Sequence, residues 1–276
     1  MLARHVTRGV KAGLVAGLAF GLLVALVANP LVAFADELGH EGDHATGEQH
    51  ADADHHAEGA HAGADDTGAD GADRESAHEG AVSAAVTSAV SAVSGVLWGV
   101  LLGGVVFGVA FALLEPAIPG TGAAKSYVLA AAGFVTVSGA PWLALPPQPP
   151  GAEQALPTAT RLPLYAGMMV AGALACLLAG ALYRRLRDRR GRVAAAAAAS
   201  LSLGLLAVPA ALAPTNEVTH SLPAALSSGL VGLVVFGQAF LWLVLAAVHA
   251  RLRRRSTAER VGEVATGRAG PEVAAD

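Results

Sequence analysis

The sequence predicts an all-α membrane protein: a bundle of about six transmembrane helices with a disordered His/Asp/Glu-rich extracytoplasmic loop. Three observations predict it. Of the 276 residues, 54% are hydrophobic and only 14% are charged, against about 25% charged in an average soluble domain. The apolar residues gather into runs, each long enough to cross a bilayer. Finally, the basic residues fall almost entirely between alternate pairs of runs.

A span needs ~20 mainly apolar residues, because ~1.5 Å of rise per residue must cross ~30 Å of hydrocarbon. The first run covers about 12–34, interrupted only by Pro30, and the second about 90–114. The third lies at 127–145, the fourth at 162–183, the fifth at 193–212 and the sixth at 224–248. The fifth is the weakest, being rich in alanine. Continuous runs predict helices, since a barrel strand would alternate. The chain then divides into a basic segment with the first helix (1–35), the outer loop (36–80), a five-helix membrane region (81–255) and a disordered cytoplasmic tail (256–276).

Sixteen of the 18 basic residues lie on one side of a six-span chain. They include Arg4, Arg8 and Lys11, then Lys125, the six arginines from Arg184 to Arg192, and the cluster from Arg251 to Arg255. Only Arg74 and Arg161 fall opposite. The positive-inside rule therefore places both termini in the cytoplasm of a multi-pass cytoplasmic-membrane protein. Ala33-Phe34-Ala35 before Asp36 resembles a signal-peptidase site. The apolar run is longer than a signal core, so an uncleaved helix is expected. On either reading the following segment lies outside.

That segment holds seven of the ten histidines and 14 of the 22 acidic residues, diluted by Ala and Gly. It can build no core, and disorder is expected. Neutral imidazole is a good ligand for first-row divalent metals, and carboxylate adds charge. His40, His44, His50, His55, His56 and His61 are candidate ligands, with His40 and His44 on one face if a helix forms. A solubilising linker is the plainer reading; the density of histidine favours metal capture. Flexible ligands predict weak, exchanging binding.

Elsewhere the signals are sparser. Gly13, Gly17 and Gly21 line one face of the first run, and Gly95, Gly99 and Gly103 one face of the second. Small residues at this spacing let helix backbones approach closely, so packing is expected before an ion path. A Pro-rich exit follows the third run and carries Glu153, a candidate oxygen ligand. Asn216, Glu217 and His220 precede the sixth run, where Glu217 and His220 are candidate second-stage ligands. Tyr165, Met168, Met169, Gly172 and Cys176 form a stripe that suits packing better than soft-metal binding. Glu115 is expected at the membrane interface, and His249 as part of the basic cluster after the sixth run.

Other chemistry is excluded. One cysteine provides no disulfide, Cys-based zinc site or iron–sulfur cluster within the chain. A net charge of −4 argues against nucleic acid. Gly120 to Ser126 ends like a nucleotide-binding loop, but Ala124 stands where glycine is required and no strand precedes it. No nucleophile, base and orienter converge in the sequence, so an enzyme is not expected.

The order of features resembles the CbtA family of probable cobalt transporter subunits. The resemblance rests on the basic start and "AGLVAGL" at residues 12–18, the His/Asp/Glu-rich outer loop, and "PPQPPG" at residues 146–151 closing the third run. It covers about residues 10–255. It implies cobalt uptake for cobalamin synthesis with CbtB, a small single-span, His-bearing partner. The expectation is then a divalent-metal transporter subunit, with cobalt favoured and nickel or zinc as alternatives, and no permanently bound cofactor. Expected partners are the lipid bilayer and the CbtB-like subunit, with self-association left open; nucleotide is not among them. The alternative is a non-transporting membrane scaffold whose His-rich loop buffers or senses metal or protons.

Overall fold

Hydrocarbon offers no partner to a free N–H or C=O, so each apolar run must satisfy its backbone internally as helix. The computed structural model describes residues 2–35, 37, 86 and 89–268, and these are mostly helical. Among them, five helices are long and apolar enough to cross a membrane. They are α1 (Leu2–Ala35), α2 (Ala89–Leu114), α3 (Ala124–Ala144), a long stretch over Thr158–Leu212, and the apolar part, Ala224–Ser256, of the last helix. The long stretch comprises α4 (Thr158–Gly204) and the short α5 (Ala207–Leu212). The last helix, α6, runs Ala224–Arg268, past Arg255 where the tail is expected to begin.

The fourth and fifth apolar runs are thus joined by helix rather than by a loop. The join is broken at Gly191, whose φ of 81° and ψ of 172° lie outside any helix. Only glycine adopts that φ without strain. Beyond it the chain returns on itself: Leu203 and Leu206 pack against Ala171 and Ala175 in one cluster with Ala140 of α3. The arms on either side of Gly191 therefore lie side by side.

α1 and α2 meet through their glycines. A methyl group on Gly17 would stand 2.9 Å from Gly99 Cα, and one on Gly95 would stand 2.7 Å from Gly21 Cα. The two backbones touch, which is the packing role the spacing predicts, and no room for an ion remains between these faces. Ala12, Ala16, Phe107, Phe111, Leu129, Trp242 and Leu245 extend this contact into the main core, which joins α1, α2, α3 and α6. Outward residues such as Leu26 and Leu113 are exposed; lipid tails are as apolar as leucine, so this suits a bilayer.

Each of the first three helices contains a π-helical segment: Val24–Ala28, Leu101–Phe107 and Val135–Gly139. The last precedes Pro141, which has no N–H to give. Val137 O, its partner in a regular α-helix, instead accepts the Tyr165 hydroxyl at 2.6 Å. Outside the helices lies an antiparallel pair that periodicity does not announce, β1 (Glu153–Gln154) with β2 (Val218–Thr219).

Candidate functional site

The candidate ligands fall into two groups. His40, His44, His50, His55, His56 and His61 lie outside the described residues. Glu153, Glu217 and His220 lie around the β1–β2 pair, at the end of the bundle where α3 finishes and α4 and α6 begin. Glu153 stands opposite Thr219, and Ala155 N donates to Glu217 O at 2.9 Å. That register sets Glu153 and Glu217 diagonally on one face of the ribbon, ~7–8 Å apart at the backbone. His220 is exposed, and its Nε2 shares a hydrogen bond with Ser227 Oγ at 3.2 Å. Asn216 locks the pair, donating through Nδ2 to Gln154 Oε1 at 3.0 Å and accepting from Leu156 N at 3.1 Å. Among the described residues, no three His, Cys, Asp or Glu side chains are placed to hold one metal ion.

The Tyr165–Cys176 stripe packs against α3. Met168 is buried, Gly172 abuts Ala140 and Thr136, and Cys176 Sγ reaches Ala132 O at 3.7 Å. These contacts run antiparallel, so extending the two helices carries Arg184–Arg192 to the end where α3 starts.

That end holds a polar centre. Glu115, terminating α2, accepts from Arg253 of α6 at 2.7 Å and faces His5 Nε2 of α1 at 3.7 Å. Its backbone carbonyl accepts from Lys125 at 2.7 Å, across a turn in which Gly120 and Gly122 take positive φ. The segment that mimics a nucleotide loop thus serves as this turn. Arg8 NH2 donates to Ser256 Oγ at 2.8 Å, and the Arg253 guanidinium lies 4.5 Å over the Phe111 ring. Glu115 thus joins α1, α2 and α6 at the end of α2.

His249 departs from expectation. It begins the basic cluster but is fully buried. Its Nδ1 shares a 2.9 Å hydrogen bond with Ser126 Oγ, itself fully buried, and its ring lies against Phe111 (4.7 Å) and Phe107 (5.1 Å). His5 stacks on Phe111 at 5.8 Å. His249 Nε2 and His5 Nδ1 are both buried without a hydrogen-bond partner.

A signal for this burial exists in α6. Gln238, Trp242, His249 and Arg253, at offsets 0, 4, 11 and 15, share one helical face. They meet α3 in antiparallel register: His249 on Ser126, Trp242 on Gly133, and Gln238 accepting from Ser138 at 3.4 Å. Ser126 and Ser138, twelve apart, would be about 120° out of phase in an uninterrupted α-helix. The π segment at Val135–Gly139 takes in Ser138 and shifts the phase.

A family model described as probable cobalt transporter subunit (CbtA) matches residues 2–254. No curated protein and no solved structure is significantly similar to the chain.

Proposed function

The chain belongs to the CbtA family of probable cobalt transporter subunits, and from that premise we propose that it carries cobalt across the cytoplasmic membrane. The carrying observation is the extent of the match, residues 2–254, which overlaps all five membrane-length helices among the described residues. The two arms that meet at Gly191 are read as separate crossings, which makes six. The Glu115–Arg253–Lys125 end, with Arg184–Arg192, faces the cytoplasm under the positive-inside rule. Both termini then lie inside, and the β1–β2 ribbon lies outside.

On this reading His40, His44, His50, His55, His56 and His61 gather the ion, and Glu153, Glu217 and His220 receive it at the ribbon. Nickel and zinc compete, because imidazole and carboxylate discriminate weakly among these metals. Desolvating a dication requires ligands inside the membrane, so a small single-span, His-bearing subunit of the CbtB kind is the partner. Its family is one of transporter subunits rather than of enzymes, and the metal is cargo, not a resident cofactor. The α1–α2 glycine contact and the burial of Ala12 and Ala16 support a retained first helix.

A second reading, a scaffold with a buffering or sensing loop, draws on the lack of a three-ligand group among the described residues. Cobalt accumulation by cells limited for the metal separates the two. Deleting residues 41–79 lowers uptake at limiting cobalt, and excess cobalt restores it. Unchanged uptake at limiting cobalt would remove the capture role. Equal accumulation with and without the intact chain would favour the scaffold.

A further inference from the structure

Three cations at the basic end of the bundle are used inside the protein: Arg253 on Glu115, Lys125 on the Glu115 carbonyl and Arg8 on Ser256. The arginines around Gly191 are placed differently. Arg184, Arg185, Arg187, Arg189, Arg190 and Arg192 are all exposed. Among the described residues their one ion pair joins Arg187 to the neighbouring Asp188 at 3.1 Å. Six guanidinium groups thus share a single carboxylate, and like charges this close repel unless anions gather round them.

We propose that this arginine collar is a binding surface for the anionic headgroups of phospholipids in the cytoplasmic leaflet. The proposal rests on the reading of the two arms at Gly191 as separate crossings. Depth argues for lipid as the occupant. The fourth apolar run, 162–183, is ~33 Å long as helix, enough to fill the hydrocarbon by itself. α4 keeps helical geometry up to Gly191, so the residues from Arg184 to Arg190 rise only ~10 Å further. That is little more than the headgroup layer, ~5–8 Å thick on each side, and arginine stems bend to keep their heads at that level. Tyr183, half-buried, stands at the lower edge, where an amphipathic ring belongs. Gly191 then turns the chain, and Val193, 86% exposed, begins the descent. No stretch of this hairpin stands clear of the membrane for a soluble partner to grip.

The directions of the side chains argue the same way. Each helical residue turns ~100°, so the five arginines between 184 and 190 leave no gap wider than about 100° around the axis. A docked protein would cover one side of the helix; a leaflet meets it from every open side at one level. Guanidinium also suits a phosphate diester, since it offers two parallel N–H donors to two oxygens and stays charged. Headgroups gathered there shield the arginines from one another and hold the tip of the hairpin at its depth.

The test uses the full chain with its co-purifying partner, reconstituted in phosphatidylcholine with a trace of spin-labelled phosphatidylglycerol or spin-labelled phosphatidylcholine. Electron spin resonance reads the fraction of each lipid held immobile by the protein. At low salt the unmodified protein is expected to hold phosphatidylglycerol severalfold more than phosphatidylcholine. Molar salt, which shortens the screening length to ~3 Å, is expected to erase most of the difference. Arg184→Gln, Arg185→Gln, Arg189→Gln and Arg190→Gln combined are expected to lower the preference about twofold or more. The same four positions changed to Lys keep their charge and most of the preference. Arg161→Gln, at the opposite end of α4, leaves it unchanged.

Gel filtration and thermal unfolding confirm that the variants are folded. If the four-Gln form misfolds, salt decides, and a preference that molar salt leaves intact overturns the proposal. Equal retention of the two lipids by the unmodified protein overturns it, as does an undiminished preference in a folded four-Gln form. Loss of the co-purifying partner from that form, with no lipid preference in the unmodified protein, would assign the collar to an acidic protein instead. A nitroxide at Arg189→Cys, in a chain carrying Cys176→Ala, separates the proposal from the two-crossing reading, because its collisions with oxygen and with a water-soluble nickel chelate report depth. Headgroup depth without lipid preference removes the lipid site and leaves both crossings standing. A label in open water, far from the membrane, counts against the crossings and the proposal together.

Discussion

Gly17 and Gly232 show how one residue type carries different weight at different positions. A methyl group on Gly17 meets the α2 backbone, whereas one on Gly232 meets nothing within 4 Å. Gly17→Leu is therefore expected to destabilise the protein by at least the ~1–3 kcal/mol typical of overpacking. Gly232→Ala should be neutral or stabilising by up to about 1 kcal/mol, from helix propensity alone. Thermal unfolding in detergent compares the two; equal shifts would mean that α1 and α2 do not meet at these glycines. The Glu115–Arg253 pair is partly open to water, with side-chain exposures of 31% and 18%. Glu115→Gln is expected to cost about 1 kcal/mol, in the range of screened ion pairs, read from the same melts with salt varied.

At the scale of elements, Gly191 decides the layout. Its backbone lies in a region occupied essentially by glycine alone, so Gly191→Ala is expected to cost about 1–3 kcal/mol. A topology measurement checks the hairpin directly. With Cys176 replaced by alanine, single cysteines at Arg190 and Thr215 should react with a membrane-impermeant maleimide from opposite sides. Labelling of both from one side would contradict two crossings.

The apolar runs, the glycine faces and the charge-bearing ends were legible because they depend on period and composition, which a sequence displays directly. The helical form of the basic stretch on both sides of Gly191 was not, since such a polar stretch reads as a loop even where it is helical. The burial of His249 was hidden twice over. It sits next to Arg251 and Arg253, and its partner Ser126 falls out of phase with Ser138 unless the π segment in α3 is known. The β1–β2 ribbon is two residues long, too short for alternation to show. Of the candidate ligands, Glu153 and Glu217 could be placed near one another only once the ribbon's register was known.

For the whole molecule, the net charge of −4 conceals an opposition between an acidic, His-rich segment and basic clusters. The Glu115–Arg253 centre, Lys125 and Arg8 gather at one end of the bundle, and the ribbon bearing Glu153 and Glu217 at the other. On the transport reading proposed above, the cation would enter at the acidic face and leave at the basic one. The most direct test is uptake of radioactive cobalt into proteoliposomes holding the chain with its co-purifying partner, with nickel and zinc run as competitors. Time-dependent cobalt accumulation above protein-free liposomes, reduced by excess unlabelled cobalt, is the predicted result. Accumulation no greater than in protein-free liposomes, with the partner present, would contradict the assignment of transport.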